Sequence, residues 1–133
     1  MIETVRRKTV GKKNAGKKTA EENIEKKFWA RVFATQHNLV LAVCDEELIE
    51  KELKMRQEGK KEVLKIKVSK NFYGGMLVNE IVVVRLMRKA TIGNFMGMRA
   101  VDIAEKNGFI VKENIILIDE VPHAQFVKLS EVR

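Results

Sequence analysis

Hydrophobic positions begin to recur with a period only at Phe28. "FWARVFA", residues 28–34, is aromatic and branched and predicts a strand. "TQHN" turns the chain, and "LVLAVC", 39–44, predicts an apolar strand pairing antiparallel with the first. Asp45 then reads as an N-cap, and "EELIEKELKMRQ", 46–57, as a helix. Its acids come first, and Glu47 and Lys51, like Glu50 and Lys54, stand one turn apart. "EGKK" is a loop, and "EVLKIKVS", 62–69, alternates, with Leu64, Ile66 and Val68 inward and Lys65 and Lys67 outward. "KNFYGGMLV", 70–78, is a glycine-bearing loop. Asn79 caps a helix over 80–90, rich in branched residues and therefore dependent on packing. A further helix over about 94–106 starts at Asn94 and stops at Asn107-Gly108. "IILI", 115–118, and "AQFVKL", 124–129, flank "DEVPH" as a second hairpin. The expected body, residues 21–133, is one α+β domain of order β-β-α-β-α-α-β-β. Its sheet is largely antiparallel, made from two hairpins and packed with about three helices.

Residues 1–20 lie outside this pattern and change the picture through charge. They hold Arg6, Arg7, Lys8, Lys12, Lys13, Lys17 and Lys18 against Glu3 alone, a net +6. The chain as a whole carries +8, so the other 113 residues amount to only +2. A near-neutral body with a basic, flexible arm follows, and such arms either bind nucleic acid or serve as solvated tails. Within the arm, "VGKKNAGKKT" nearly matches a phosphate-binding loop: Gly11, Gly16 and Lys17 fit, but Lys18 takes the place of the hydroxyl, which arrives late at Thr19. The tandem "GKKNA" and "GKKTA" produce that spacing unaided, and "MIETVRRKTV" is too charged to be the buried strand such a loop requires. Thr19, with Glu21 and Glu22, marks a short helix leading into the body.

No apolar run approaches the ~20 residues of a membrane span. The start lacks the apolar segment of a secretory signal, and the acids that follow closely disfavour an organellar leader. Cys44 is the single cysteine and fits a reducing cytoplasm. One cysteine with His37 and His123 cannot make a usual structural zinc site, and the sequence points to no metal and no cofactor. Three stretches hold candidate chemistry. "NFYGG", 71–75, is either a backbone loop approaching a ligand beside Tyr73, with Gly74 and Gly75 permitting the approach, or an ordinary connection. "ATIGNFMGMRAVDIA", 90–104, spaces Gly93, Gly97, Ala100 and Ala104 for tight packing. Asn94, the N–H groups near it and Arg99 are there a candidate phosphate site. His123 in "VPHAQ" is either a base or RNA ligand, or a structural residue beside a turn. Cys44 beside Asp45 reads as a buried strand end rather than a nucleophile.

"LVLAVCDEEL", "FYGGMLV", "ATIGNFMGMRAVDIA" and "VPHAQFVKL", in this order, resemble the archaeal family filed as domain of unknown function number 424, over about residues 29–129. The resemblance implies an archaeal, cytoplasmic protein with a compact α+β domain, and an association with genes for translation factors and ribosome assembly. A shared site would comprise Tyr73, Gly74, Gly75, Asn94, Gly97, His123 and Gln125. Gly93 stands where the family suggests a bulkier residue, which would loosen a helix start. Two functions are expected from these readings. One is an RNA-binding protein, with ribosomal RNA or the ribosome as partner, no membrane and no preference for DNA. It would bind by the arm and by a face carrying Tyr73, Gly74, Gly75, Asn94, Arg99, His123 and Gln125. The other is a small enzyme acting on a nucleotide or RNA, with a pocket near Tyr73-Gly74-Gly75 and His123. No catalytic motif is recognisable, so the balance is against an enzyme.

Overall fold

The computed structural model describes residues 26–129, so the basic arm, the near phosphate-loop and the short helix expected from Thr19 lie outside the described residues. The body is α+β, as expected. Strands β1 (Phe28–Ala34) and β2 (Leu39–Asp45) form the first antiparallel hairpin, in the register Phe28–Asp45 to Ala34–Leu39. β3 (Glu52–Arg56) and β4 (Val63–Lys67) make a separate two-stranded ribbon. After it come the one-turn helix α1 (Lys70–Tyr73), strand β5 (Met76–Val78), helix α2 (Glu80–Lys89), strand β6 (Ile92–Met96) and helix α3 (Met98–Lys106). β7 (Ile116–Ile118) and β8 (Val121–Val127) close the fold as the second expected hairpin. The main sheet runs β5-β1-β2-β6-β8-β7, and only the β2–β6 pair is parallel.

The two faces of this sheet are covered differently. On one, Leu41, Val43, Phe95, Ala124 and Phe126 pack beneath α2 and α3, which contribute Val83, Met87, Ala100, Val101, Ile103 and Ala104. On the other, Ala42, Cys44, Met96 and Ile118 pack beneath α1 and the β3–β4 ribbon, which contribute Tyr73 and Leu53. Packing holds the branched α2, as its composition requires, and caps define its ends. The Asn79 side chain accepts the Val82 N–H at 3.1 Å. Lys128 Nζ donates to the terminal carbonyls of Met87 and Arg88 at 3.0 and 2.8 Å. Gly108, at φ +82°, follows α3 as the expected left-handed stop.

Two expected helices are redrawn. Residues 46–57 do not form one: Glu46–Leu48 is a single tight turn and Glu52–Arg56 is β3. Glu47 and Glu50 do not bond Lys51 and Lys54 but reach Arg99 and Lys67. Alternation of Leu53 and Met55 over the sheet outweighs i,i+4 charge pairs worth a few tenths of a kcal/mol. The helix expected over 94–106 starts only at Met98, and residues 92–96 are the central strand β6. Asn94 therefore caps nothing, and Gly93 loosens no helix: a Cβ there would lie 2.2 Å from the Phe126 ring, which occupies that space. The last hairpin turns on Asp119 and Glu120 alone, both at positive φ, so "VPH" belongs to β8 rather than to the turn.

Candidate functional site

A polar chain crosses the face beneath α1. Strand register sets Arg31, Ala42, Asn94 and Gln125 side by side on β1, β2, β6 and β8. Tyr73 joins this row from α1, whose first turn is secured by two acceptors. Ser69 Oγ takes the Asn71 N–H at 3.1 Å, and Glu50 Oε2 takes the Lys70 N–H at 2.8 Å. Phe72 packs edge-on against both Phe33 and Tyr73. The Tyr73 hydroxyl donates to Asn94 Oδ1 at 2.7 Å, and Asn94 Nδ2 donates to Gln125 Oε1 at 3.2 Å. Gln125 is exposed, so the chain runs from a buried phenol to solvent. Burial raises the Tyr73 pKa, with the Cys44 side chain adding to it, and the phenol stays a hydrogen-bond donor.

His123 lies on the same strand and face as Gln125, two residues away and opposite Met96. Its Nδ1 is 3.0 Å from the Phe95 carbonyl. A carbonyl only accepts, so Nδ1 carries the proton and Nε2 is the ring's free acceptor. Burial lowers the His123 pKa, and the carbonyl partner opposes that shift without overcoming it. Cys44 is beneath, fully buried, with its pKa pushed up to about 12 by burial and then by Asp45 and Glu47. The thiol is held protonated at neutral pH, and Cys44 is a buried strand residue, as its sequence pattern indicates.

Gly74 and Gly75 serve packing. A Cβ on Gly75 would fall 2.5 Å from the Ala30 carbonyl oxygen, so this glycine lets the loop approach β1 closely. Arg99 stands apart, at the end of the parallel strands. Asp45, 3% exposed, accepts the Arg99 and Ala100 backbone N–H groups at 3.1 and 2.7 Å, and so caps α3 from another strand. Burial raises its pKa, while those two N–H groups and the Arg99 charge pull the other way. The Arg99 guanidinium bonds Glu47 at 3.0 Å and the Lys27 carbonyl at 3.4 Å, and sits 4.7 Å over the Phe28 ring. The α3 N-terminus is thus filled by the protein's own carboxylate, which removes Asn94 and Arg99 as a helix-end phosphate site.

The structure therefore joins Tyr73, Asn94 and Gln125, sets His123 beside them, and separates Arg99. Two features escaped the sequence reading. Asp45 is a cap for α3 rather than for its own neighbours, and its signal was Gly97, at φ +113°, facing it across the sheet. Lys54, Arg56, Lys65 and Lys67 share the outer face of the β3–β4 ribbon, and their signal was the alternation in "LKMR" and "KIK" around Gly59.

A mixed six-stranded sheet, with two helices on one face and a ribbon with a one-turn helix on the other, defines the class. The family model described as "Protein of unknown function (DUF424)" matches residues 33–129, and the chain belongs to that family. Its fold resembles the crystal structure of an uncharacterized conserved protein from Methanopyrus kandleri, at a TM-score of 0.63 and 21% identity, over 80% of this chain and 97% of that one. No curated protein matches the sequence. No helix among the described residues is long and apolar enough to cross a membrane.

Proposed function

We propose that this protein binds RNA in the cytoplasm, as a ribosome-associated component of the translation machinery. The observation that carries the reading is the separation of charge: +6 on residues 1–20 and +2 on the remaining 113. Arg6, Arg7, Lys8, Lys12, Lys13, Lys17 and Lys18 neutralise phosphates and release counterions, while Gly11 and Gly16 let the segment follow a groove. The Tyr73–Asn94–Gln125 row supports a polar edge on the body, where the outer amide of Gln125 and Nε2 of His123 bond sugar or base. Tyr73, 5% exposed, acts there by orienting Asn94. The convergence of Tyr73, Asn94 and Gln125 also favours a second reading, a small enzyme acting on a nucleotide or RNA. It ranks lower because the Tyr73 hydroxyl and Asn94 amide are bonded to each other and the Cys44 thiol is held protonated. Sedimentation of the protein with ribosomal subunits tests the binding reading: co-migration at low salt and release at high salt are expected. Protein left at the top of the gradient at low salt removes it.

A further inference from the structure

We infer that the β3–β4 ribbon is a second phosphate-binding surface, shaped for double-helical RNA; the inference rests on the RNA-binding reading above. Residues 50–70 hold eight Lys and Arg (51, 54, 56, 60, 61, 65, 67, 70) against four Glu (50, 52, 58, 62), a net +4. The body from 21 to 133 sums to +2, so all of it outside this segment sums to −2. The ribbon segment thus accounts for more than the whole of the body's net positive charge.

The register sorts the ribbon into two faces. Leu53–Ile66 and Met55–Leu64 pair on the inner face; Glu52–Lys67, Lys54–Lys65 and Arg56–Val63 pair on the outer face. Leu53 is buried against the sheet, but Leu64 is 45% exposed, and of residues 56–65 only Val63 is even partly covered. The distal half of the ribbon thus overhangs the body. It is anchored near its middle, where Asp119 Oδ2 accepts the Lys54 N–H at 3.0 Å. At the root, charge is answered internally: Glu50 bonds Lys67 at 3.3 Å and the Lys70 N–H at 2.8 Å. Farther out, Lys54, Arg56, Lys60, Lys61 and Lys65 make no ion pair among the described residues. Glu58 and Glu62 offset them only at the tip.

Lys54 directly opposite Lys65 costs roughly 0.2–1 kcal/mol relative to a neutral or opposed pair. Neither side chain is buried, so the fold gains nothing from the repulsion; an external polyanion would relieve it. Successive outward side chains lie about 7 Å apart along each strand, giving a two-row grid of cations. The outward face is dominated by cations suited to phosphate, and recognition by backbone and shape is the mode of double-stranded RNA. The ribbon also leaves the sheet beside the first residue of β1. Phe28, which follows Lys26–Lys27, pairs with Asp45, and the tight turn Glu46–Leu48 leads from Asp45 into the ribbon. Binding of one RNA by both arm and ribbon would let each raise the other's effective concentration.

The test uses the full chain and three probes: a fully paired RNA duplex, its single strand, and a DNA duplex of the same sequence. The K54Q/R56Q/K65Q variant is expected to lower the salt slope for the RNA duplex by about 3 and to weaken binding on the order of a hundredfold at about 0.1 M salt. Melting temperature should be unchanged or higher. K60Q/K61Q, at the tip and outside the paired strands, gives a second reading if the triple variant misfolds, with a slope lowered by about 2. Unaltered duplex binding by both variants, alongside weakened binding when Lys12, Lys13, Lys17 and Lys18 become Gln, overturns the ribbon site and leaves RNA binding by the arm. A parent chain that ignores both RNA probes removes both readings. A parent that holds the DNA duplex as tightly as the RNA duplex overturns RNA as the occupant.

Discussion

Gly97 and Asp45 occupy adjoining space that no larger residue can share. Gly97 sits at φ +113°, and a Cβ there would lie 2.5 Å from the Asp45 carboxyl carbon. That carboxylate holds the first two free N–H groups of α3 it can reach, so a displaced Asp45 uncaps the helix. Gly97→Ala should therefore cost about 2–3 kcal/mol and lower the melting temperature by roughly 10 °C. An unchanged melt would show that the corner relaxes freely. His123 gives a pH signature of its own. Its folded pKa lies below the unfolded value of 6.5 because burial disfavours the charged ring. Between those two values the unfolded chain binds more protons, so stability rises with pH. The contribution is complete above about pH 6.5 and is lost as pH falls through the folded pKa. Denaturant melts from pH 7.5 to 5 should show this loss, and His123→Gln should flatten it; a variant with the parent's full acid loss assigns the effect elsewhere.

Elements were legible where the pattern was local. Strands 28–34 and 39–44, the Asn79 cap and the stop at Asn107-Gly108 depend on neighbours in sequence, and each was readable from them. β4 was readable too, but its partner β3 and the central strand β6 were not. Residues 46–57 carry charge pairs at helical spacing and apolar residues at alternate spacing, and only burial of Leu53 against the sheet decides between them. β6 contains Gly93 and Asn94, weak strand formers, and is fixed by neighbours on both sides, β2 and β8. The candidate face was legible in part for the same reason. Tyr73, Asn94 and Gln125 stood out as residues, but the row joining them comes from register between strands 31 positions apart. At this scale the ribbon makes a two-sided prediction. Lys54→Glu puts Glu opposite Lys65 and should stabilise the fold by roughly 0.2–1 kcal/mol, measured by chemical denaturation. Under the ribbon proposal the same change weakens binding to an RNA duplex. A variant that is both more stable and equally good at binding would mean that Lys54 does not meet phosphate.

For the whole molecule, stability and binding should separate along the chain. The buried clusters run from Phe28 to Phe126, and residues 1–20 carry no periodic apolar pattern to add to them. Deleting residues 1–20 is accordingly expected to leave the melting temperature nearly unchanged, and a large drop would make the arm part of the core. Binding should respond in the opposite way. Seven Lys and Arg side chains are present in residues 1–20. With about five of them on phosphates at once, and a slope of roughly −0.7 to −0.9 per phosphate, the arm's share of the fall of log affinity with log salt should be about 3.5 to 4.5. Raising salt from about 50 to 200 mM then weakens binding on the order of a hundredfold or more. Replacing Lys12, Lys13, Lys17 and Lys18 by Gln removes about two to four of those contacts and should flatten the slope by about 1.4 to 3.6 while leaving the fold intact. Replacing Gln125 and His123, which offer neutral hydrogen bonds rather than charge, should weaken binding while the slope stays near the parent's. Filter-binding titrations with ribosomal RNA across a salt series measure both quantities. If the Lys→Gln chain keeps the parent's affinity and slope, the arm is only a solvated tail and function must lie in the body: in the ribbon if its Gln variants lose the binding, and otherwise at the Tyr73–Asn94–Gln125 row, which would move the enzyme reading ahead.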